Sequence, residues 1–169
     1  ECDSNGKVLG QAEGGKKIYL LDINALDPQS ASGIKTMMHV VEHEFAHILH
    51  QTIPYPEAFA EITTNYDASS WYNTKEADAY GMGFVSRYAR YNDNEDFVET
   101  MSLIMVNGLD WFENTVIKGA QGSVDPATPT AGVVALRRKV FILENYLRDS
   151  WRIEFFDQGN KKGLVTLVQ

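Results

Sequence analysis

His39-Val40-Val41-Glu42-His43-Glu44-Phe45-Ala46-His47-Ile48-Leu49-His50 contains every histidine of the 169-residue chain. Two of them frame the run His43-Glu44-Phe45-Ala46-His47, where the spacing itself carries chemistry. Residues four apart on an α-helix share a face, with Cβ atoms about 5–6 Å apart, close enough for two imidazoles to grip one cation. Glu44 lies about 100° round such a helix from His43, so its carboxylate can stand beside the water position of the site without being a ligand. The pattern points to metal-assisted hydrolysis with zinc as the ion. Between Lys35 and Gln51, Met37, Val41, Phe45 and Ile48 recur at three- and four-residue steps, and Met38 and Leu49 widen the stripe. That periodicity predicts a helix with this stripe on the core and the histidines on the opposite face, opening into a cleft.

The rest of the composition is that of an ordinary globular chain. At 44% hydrophobic and 22% charged residues, 169 residues suit one core, so a single domain over 1–169 is expected. The net charge is -8 and the longest basic run is Arg137-Arg138-Lys139. Counterion release, the main drive for nucleic-acid binding, has little to act on, which disfavours nucleic acid and anionic membranes as partners. No run of eighteen apolar residues suits a membrane span, and no basic-then-apolar signal region opens the chain, so any export signal is expected to have been removed. Cys2 is the only cysteine. Histidines and carboxylates are therefore the ligands at hand, a set typical of catalytic rather than closed structural zinc.

Along the chain, Gly6, Gly10, Gly14 and Gly15 suggest that residues 1–15 are flexible, and Gly14-Gly15-Lys16 lacks the remainder of a phosphate loop. Lys17 to Ile23 is β-branched and aromatic and reads as a strand. Asp27-Pro28 and Ser32-Gly33 turn the chain into the histidine helix, and Pro54 and Pro56 end it. A loop-rich stretch follows to about Trp71. A helix is expected from about Thr74 to Tyr91, weakened by Gly81 and Gly83. Asn94 is expected to cap a further helix from Glu95 to about Val106, closed by Asn107-Gly108. Gly119 to Thr130 reads as a loop and Ala131 to Trp151 as the last long helix. Leu164 to Val168 reads as a strand or a short helix. The fold class is α+β, mainly helical, with a small sheet beside the histidine helix. Trp111, Phe112, Phe141, Tyr146 and Trp151 have the spacing of core residues. Tyr55, Tyr66, Trp71 and Tyr72 either line a specificity pocket or pack under loops.

A catalytic zinc site needs a third protein ligand, with the fourth position left to water. His50 and the run Glu95-Asp96-Phe97-Val98-Glu99 are the candidates. Three ligands from one straight helix cannot easily surround a tetrahedral ion, which favours the second helix. There Glu95 and Glu99 share a face, while Phe97, Met101 and Ile104 can point into the core. One carboxylate can reach the ion while its neighbour holds a ligand imidazole by its free N–H. Asp96 stays an alternative. His39 reads as a solvent-facing or supporting group, and His50 as a supporting group or substrate contact.

His43 to His50, then Pro54, Tyr55 and Pro56, then Gly83-Phe84-Val85-Ser86-Arg87-Tyr88-Ala89, then Glu95 to Glu99, together resemble the zinc-binding metallopeptidases known as substrate-import-associated zinc metallohydrolase lipoproteins. The resemblance runs from about Gly10 to at least Glu99. It implies a zincin-like domain, exported in the bacterial cell envelope as an outer-membrane lipoprotein beside nutrient-import proteins. The acidic helix is also similar to that of the lethal-factor-like zincins. That likeness implies Glu95 as third ligand, Glu99 as its supporting carboxylate, and Tyr88 as a phenol acting at the reacting carbonyl, with Tyr91 as its competitor. The chemistry implied is amide hydrolysis of a peptide or protein substrate, with His43, His47 and Glu95 on Zn²⁺ and Glu44 as the acid–base. The strand near Ile18 to Ile23 is expected to flank the cleft and pair with an extended peptide. Two rival classes are a zinc-containing binding component of a nutrient-import system and a hydrolase of non-peptide amides.

Overall fold

A computed structural model describes residues 7–154 together with Gly163, Leu164 and Thr166. Among these residues the elements are mainly helical, with one two-stranded sheet. Strands β1 (Gly10–Glu13) and β2 (Lys17–Leu20) form an antiparallel hairpin in which Gly10 faces Leu20 and Glu13 faces Lys17. Gly14 and Gly15 have φ of 57° and 66°, and Lys16 N–H bonds back to Glu13 O at 3.1 Å. A tight hairpin turn of this kind requires positive φ at both central residues, and glycine supplies it without steric cost. Part of the segment expected to be flexible is therefore ordered structure. β2 also ends earlier than expected, because Asp22 turns left-handed at φ 55° and Ile23–Ala25 winds into a single 3₁₀ turn.

Helix α1 (Ala31–Thr52) begins where the Ser30 side chain accepts a hydrogen bond from Gly33 N–H, a side-chain N-cap. It stops just before Pro54. Its buried residues are Val40, His43, Glu44, Ala46 and Leu49. Leu49, with Phe45 packed beside it, joins the core as expected, while the burial of His43 and Glu44 corrects the expectation that the histidine face stands opposite the core. Met37 is 36% exposed and His43 fully buried, so the imidazole face looks inward. The reason is that α1 is covered on two sides, by α3 (Asp93–Asn107) and by the hairpin. The polar groups tolerate burial because carboxylates from α3 meet them.

The expected helix from Thr74 to Tyr91 is only α2 (Glu76–Gly81). Gly83 takes φ 88° where a Cβ would lie 2.7 Å from Ala135 Cβ, so the chain turns to bring Phe84 and Val85 into the core, and a 3₁₀ turn follows at Tyr88–Arg90. The cap of α3 is Asn92, whose Oδ1 accepts from Glu95 N–H at 2.8 Å, two residues before the expected Asn94. A helical run then extends through Leu109–Trp111 (α4), a π-helical Phe112–Ile117 and Lys118–Gln121 (α5). Part of the expected loop from Gly119 is thus helical until Gly122. Helix α6 spans Ala131–Trp151, the expected bounds. The expectation for the tail at Leu164 to Val168 rests on Val165, Leu167 and Val168, which lie outside the described residues, as do Cys2 and Gly6.

Two apolar clusters fill the interior, one around Phe84, Ile104, Phe112 and Leu136, the other around Leu49, Phe59, Phe97 and Leu143. Phe112 and Tyr146 are buried as expected, and Trp111 and Trp151 pack against the clusters. Phe141 does not join them: it is 63% exposed, because the opposite face of α6 carries Leu136, Leu143 and Leu147 inward. Between the clusters Lys139 Nζ meets Asp96 Oδ2 at 2.6 Å, with both side chains fully buried. Lys139 also donates to Gly83 O at 2.7 Å and lies 4.3 Å from the Phe84 ring centroid, while Tyr66 O–H donates to Asp96 at 3.0 Å. Burial pushes the Asp96 carboxyl up and the Lys139 ammonium down, and their mutual attraction opposes both shifts. Lys139→Ala should therefore cost about 3–5 kcal/mol in urea unfolding, since it strands a buried carboxylate. The double variant Asp96→Asn/Lys139→Met should cost less than that single change.

Candidate metal centre

His43 and His47 stand on consecutive turns of α1, with ring centroids 5.0 Å apart. Glu95, in the first turn of α3, brings Oε2 to 3.0 Å from His43 Nε2 and Oε1 to 3.5 Å from His47 Nε2. The three ligand atoms lie within 4.8 Å of one another. Glu95 Oε2 is buried, and its 3.0 Å approach to His43 Nε2 gathers nitrogen and oxygen donors at one point. Such a set of two imidazoles and one carboxylate fits a zinc ion. Burial alone would push the Glu95 carboxyl up, but the His43 and His47 imidazoles hold it well below the usual carboxylate range. This candidate ligand is therefore ionised.

The other faces of the two rings are also engaged. His43 Nδ1 lies 2.9 Å from Glu99 Oε1, and Glu99 Oε2 accepts from Ser86 Oγ at 2.6 Å. Ser86 Oγ in turn accepts from Ala89 N–H. His39 Nε2 stands 3.0 Å from the same Glu99 Oε1. Burial pushes the Glu99 carboxyl up, but His39 and His43 more than offset it and keep it ionised well below its usual range. A carboxylate on Nδ1 fixes the ring's tautomer and leaves Nε2 turned toward Glu95. His47 Nδ1 has a different partner, His50 Nε2 at 2.9 Å. Burial and the neighbouring His47 push His50 down to about 4, so it is neutral and can accept from His47 Nδ1–H.

The candidates left open by the sequence therefore separate. Glu95 is the acidic group that reaches both Nε2 atoms, Glu99 sits behind His43, and His50 sits behind His47. Asp96 faces the other way, bound to Lys139, because neighbouring positions on a helix point about 100° apart. Tyr88 stacks on His43 with centroids 5.9 Å apart and is flanked by Trp71 at 4.8 Å. Tyr91 is farther out, 38% exposed and 6.0 Å from the Tyr88 ring. Of the loop aromatics, Tyr55 stacks on Phe97 at 4.4 Å and donates to Asp93, Tyr66 serves Asp96, Trp71 is buried, and Tyr72 is 51% exposed.

Glu44 is 1% exposed. The strand lying on it is β1, through Gly10, and β2, overlapping the segment expected to flank the cleft, pairs with β1 and also packs on α1. Ser86 carries no signal in the sequence, since a lone serine before a turn has no periodicity to mark it. His39 carries only one sequence signal, its position four residues before His43.

A family model described as "Putative zinc-binding metallo-peptidase" matches residues 1–156. A solved structure, described as a putative zinc-binding metallo-peptidase from Bacteroides caccae, is 33% identical, with a TM-score of 0.70, covering 88% of this chain and 54% of that one. The chain thus spans about half the length of that relative. No curated protein matches it.

Removing the carboxylate behind His43 tests the layered arrangement. Glu99→Gln should weaken zinc binding about 10- to 100-fold, read by competition with a chromophoric chelator. Unchanged affinity would mean that the carboxylate does not support the ligand.

Proposed function

The chain belongs to this family of zinc-binding metallo-peptidases, and from that premise we propose that it hydrolyses peptide bonds in peptide or protein substrates. The observation that carries the reading is the meeting of His43, His47 and Glu95 from two helices, with Glu44 on the same turn as His43. A purely structural zinc site has no use for such a neighbour. A zinc ion held there lowers the pKa of water toward about 7 and polarises a substrate carbonyl.

The protein's own groups do the rest. His43 and His47 present Nε2, each fixed from behind by Glu99 or His50. Glu44 takes a proton from the attacking water and passes it to the leaving amine. The phenol of Tyr88, its ring held between His43 and Trp71, donates to the oxygen on which negative charge develops. By the same reading the chain is an exported lipoprotein of the bacterial envelope, working beside outer-membrane nutrient-import proteins. Its motifs from Gly10 to Glu99 support this, and its charge of -8 is compatible with it.

The test is zinc analysis followed by a peptide-library digest. Glu44→Gln should leave zinc content intact and lower cleavage about 100- to 10,000-fold. Cleavage undiminished by that change would remove Glu44 from the reaction, and zinc loss would make it a ligand instead. Tyr88→Phe should lower kcat by about 100- to 1,000-fold, equivalent to roughly 2.7–4 kcal/mol, with zinc retained. The same loss from Tyr91→Phe alone would transfer the role.

A further inference from the structure

The backbone gives no reason for residue 10 to be glycine. It lies in β1 opposite Leu20, and the described glycines with positive φ are Gly14, Gly15, Gly83, Gly108 and Gly122. Glycine inside a strand weakens it, with more entropy to lose and no side chain to pack. What the position lacks is room. A Cβ at Gly10 would lie 2.6 Å from Glu44 Oε1, 2.7 Å from its Cγ and 2.9 Å from its Cδ. All three atoms belong to the side chain assigned the proton transfer, and that side chain is 1% exposed.

The hairpin cannot easily slide off this contact. Its turn is fastened to the last turn of α1, where Gly15 N–H donates to Gln51 Oε1 at 2.8 Å and a Cβ on Gly15 would lie 2.7 Å from Thr52 Oγ1. With the turn docked at Gln51 and Thr52, the register of β1 along the helix is set. The strand backbone then passes over the Glu44 carboxylate arm at the one described β1 position without a Cβ.

We propose that Gly10 is a positioning residue for Glu44: by leaving a hydrogen where any other residue has a carbon, it holds the carboxylate where it can serve the reaction. The inference rests on Glu44 as the acid–base. Neither a ligand role for Gly10 nor a contact with substrate is involved.

Gly10→Ala, made in the native chain and in Glu44→Ala, tests this. In the zinc-loaded native background, kcat on a peptide library should fall about 100-fold, as expected for a displaced catalytic group. KM and zinc content should hold. In urea unfolding of the zinc-loaded proteins, the alanine should lower the midpoint in the native background. Once Glu44→Ala has cleared the space, it should leave the midpoint unchanged or raise it, since replacing a strand glycine narrows the unfolded ensemble. Native kcat in Gly10→Ala, or an equal midpoint loss in both backgrounds, would overturn the proposal. Should the native chain cleave nothing, the hydrolytic reading falls, and the unfolding cycle alone decides whether Gly10 makes room for Glu44.

Discussion

The packing of α1 on α3 puts polar groups where a helix pair would ordinarily bury aliphatic ones. His43 and Glu99 are both buried at that contact, and their 2.9 Å approach is what makes the burial tolerable. An imidazole or a carboxylate alone would carry a desolvation cost with nothing to offset it. The pairing therefore does two jobs. It lets the two helices close, and it leaves the outer nitrogen of His43 directed at Glu95. Fold and site are solved by the same set of contacts.

Around this contact the supporting groups are unequal. His43 is backed by an ionised carboxylate that also takes Ser86 and His39, whereas His47 is backed by a neutral imidazole. A carboxylate raises the basicity of the ring it holds more than a neutral acceptor does. The two histidines are equivalent by sequence spacing but not by surroundings, and that difference comes from elements far apart in the chain.

Much of this could be read from the amino-acid order alone, because it depends on local spacing. The four-residue step from His43 to His47 and from Glu95 to Glu99, and the bounds of α6, need only helix periodicity and caps. What escaped depends on tertiary packing. The stripe Met37-Val41-Phe45-Ile48 obeys the same periodicity as the buried histidine face, and the cover that α3 and the hairpin give α1 decides which groups turn inward. Gly14 and Gly15 look like flexibility when read as composition, yet they meet a fixed conformational demand of the hairpin. Gly83 ended a helix that the pattern would have continued, because its partner Ala135 lies more than fifty residues away. Asp96 could not be told from Glu95 by charge, and the buried Lys139 that claims it sits on α6.

That claim has a mechanical side. Glu95 and Asp96 are adjacent, and each is gripped from a different quarter, one by the histidines of α1 and the other by the lysine of α6. A rotation of α3 that eased one grip would pull the other apart. The helix is keyed like a shaft pinned at two angles, so its carboxylates have a definite azimuth that a single hydrophobic seam would have left free to drift.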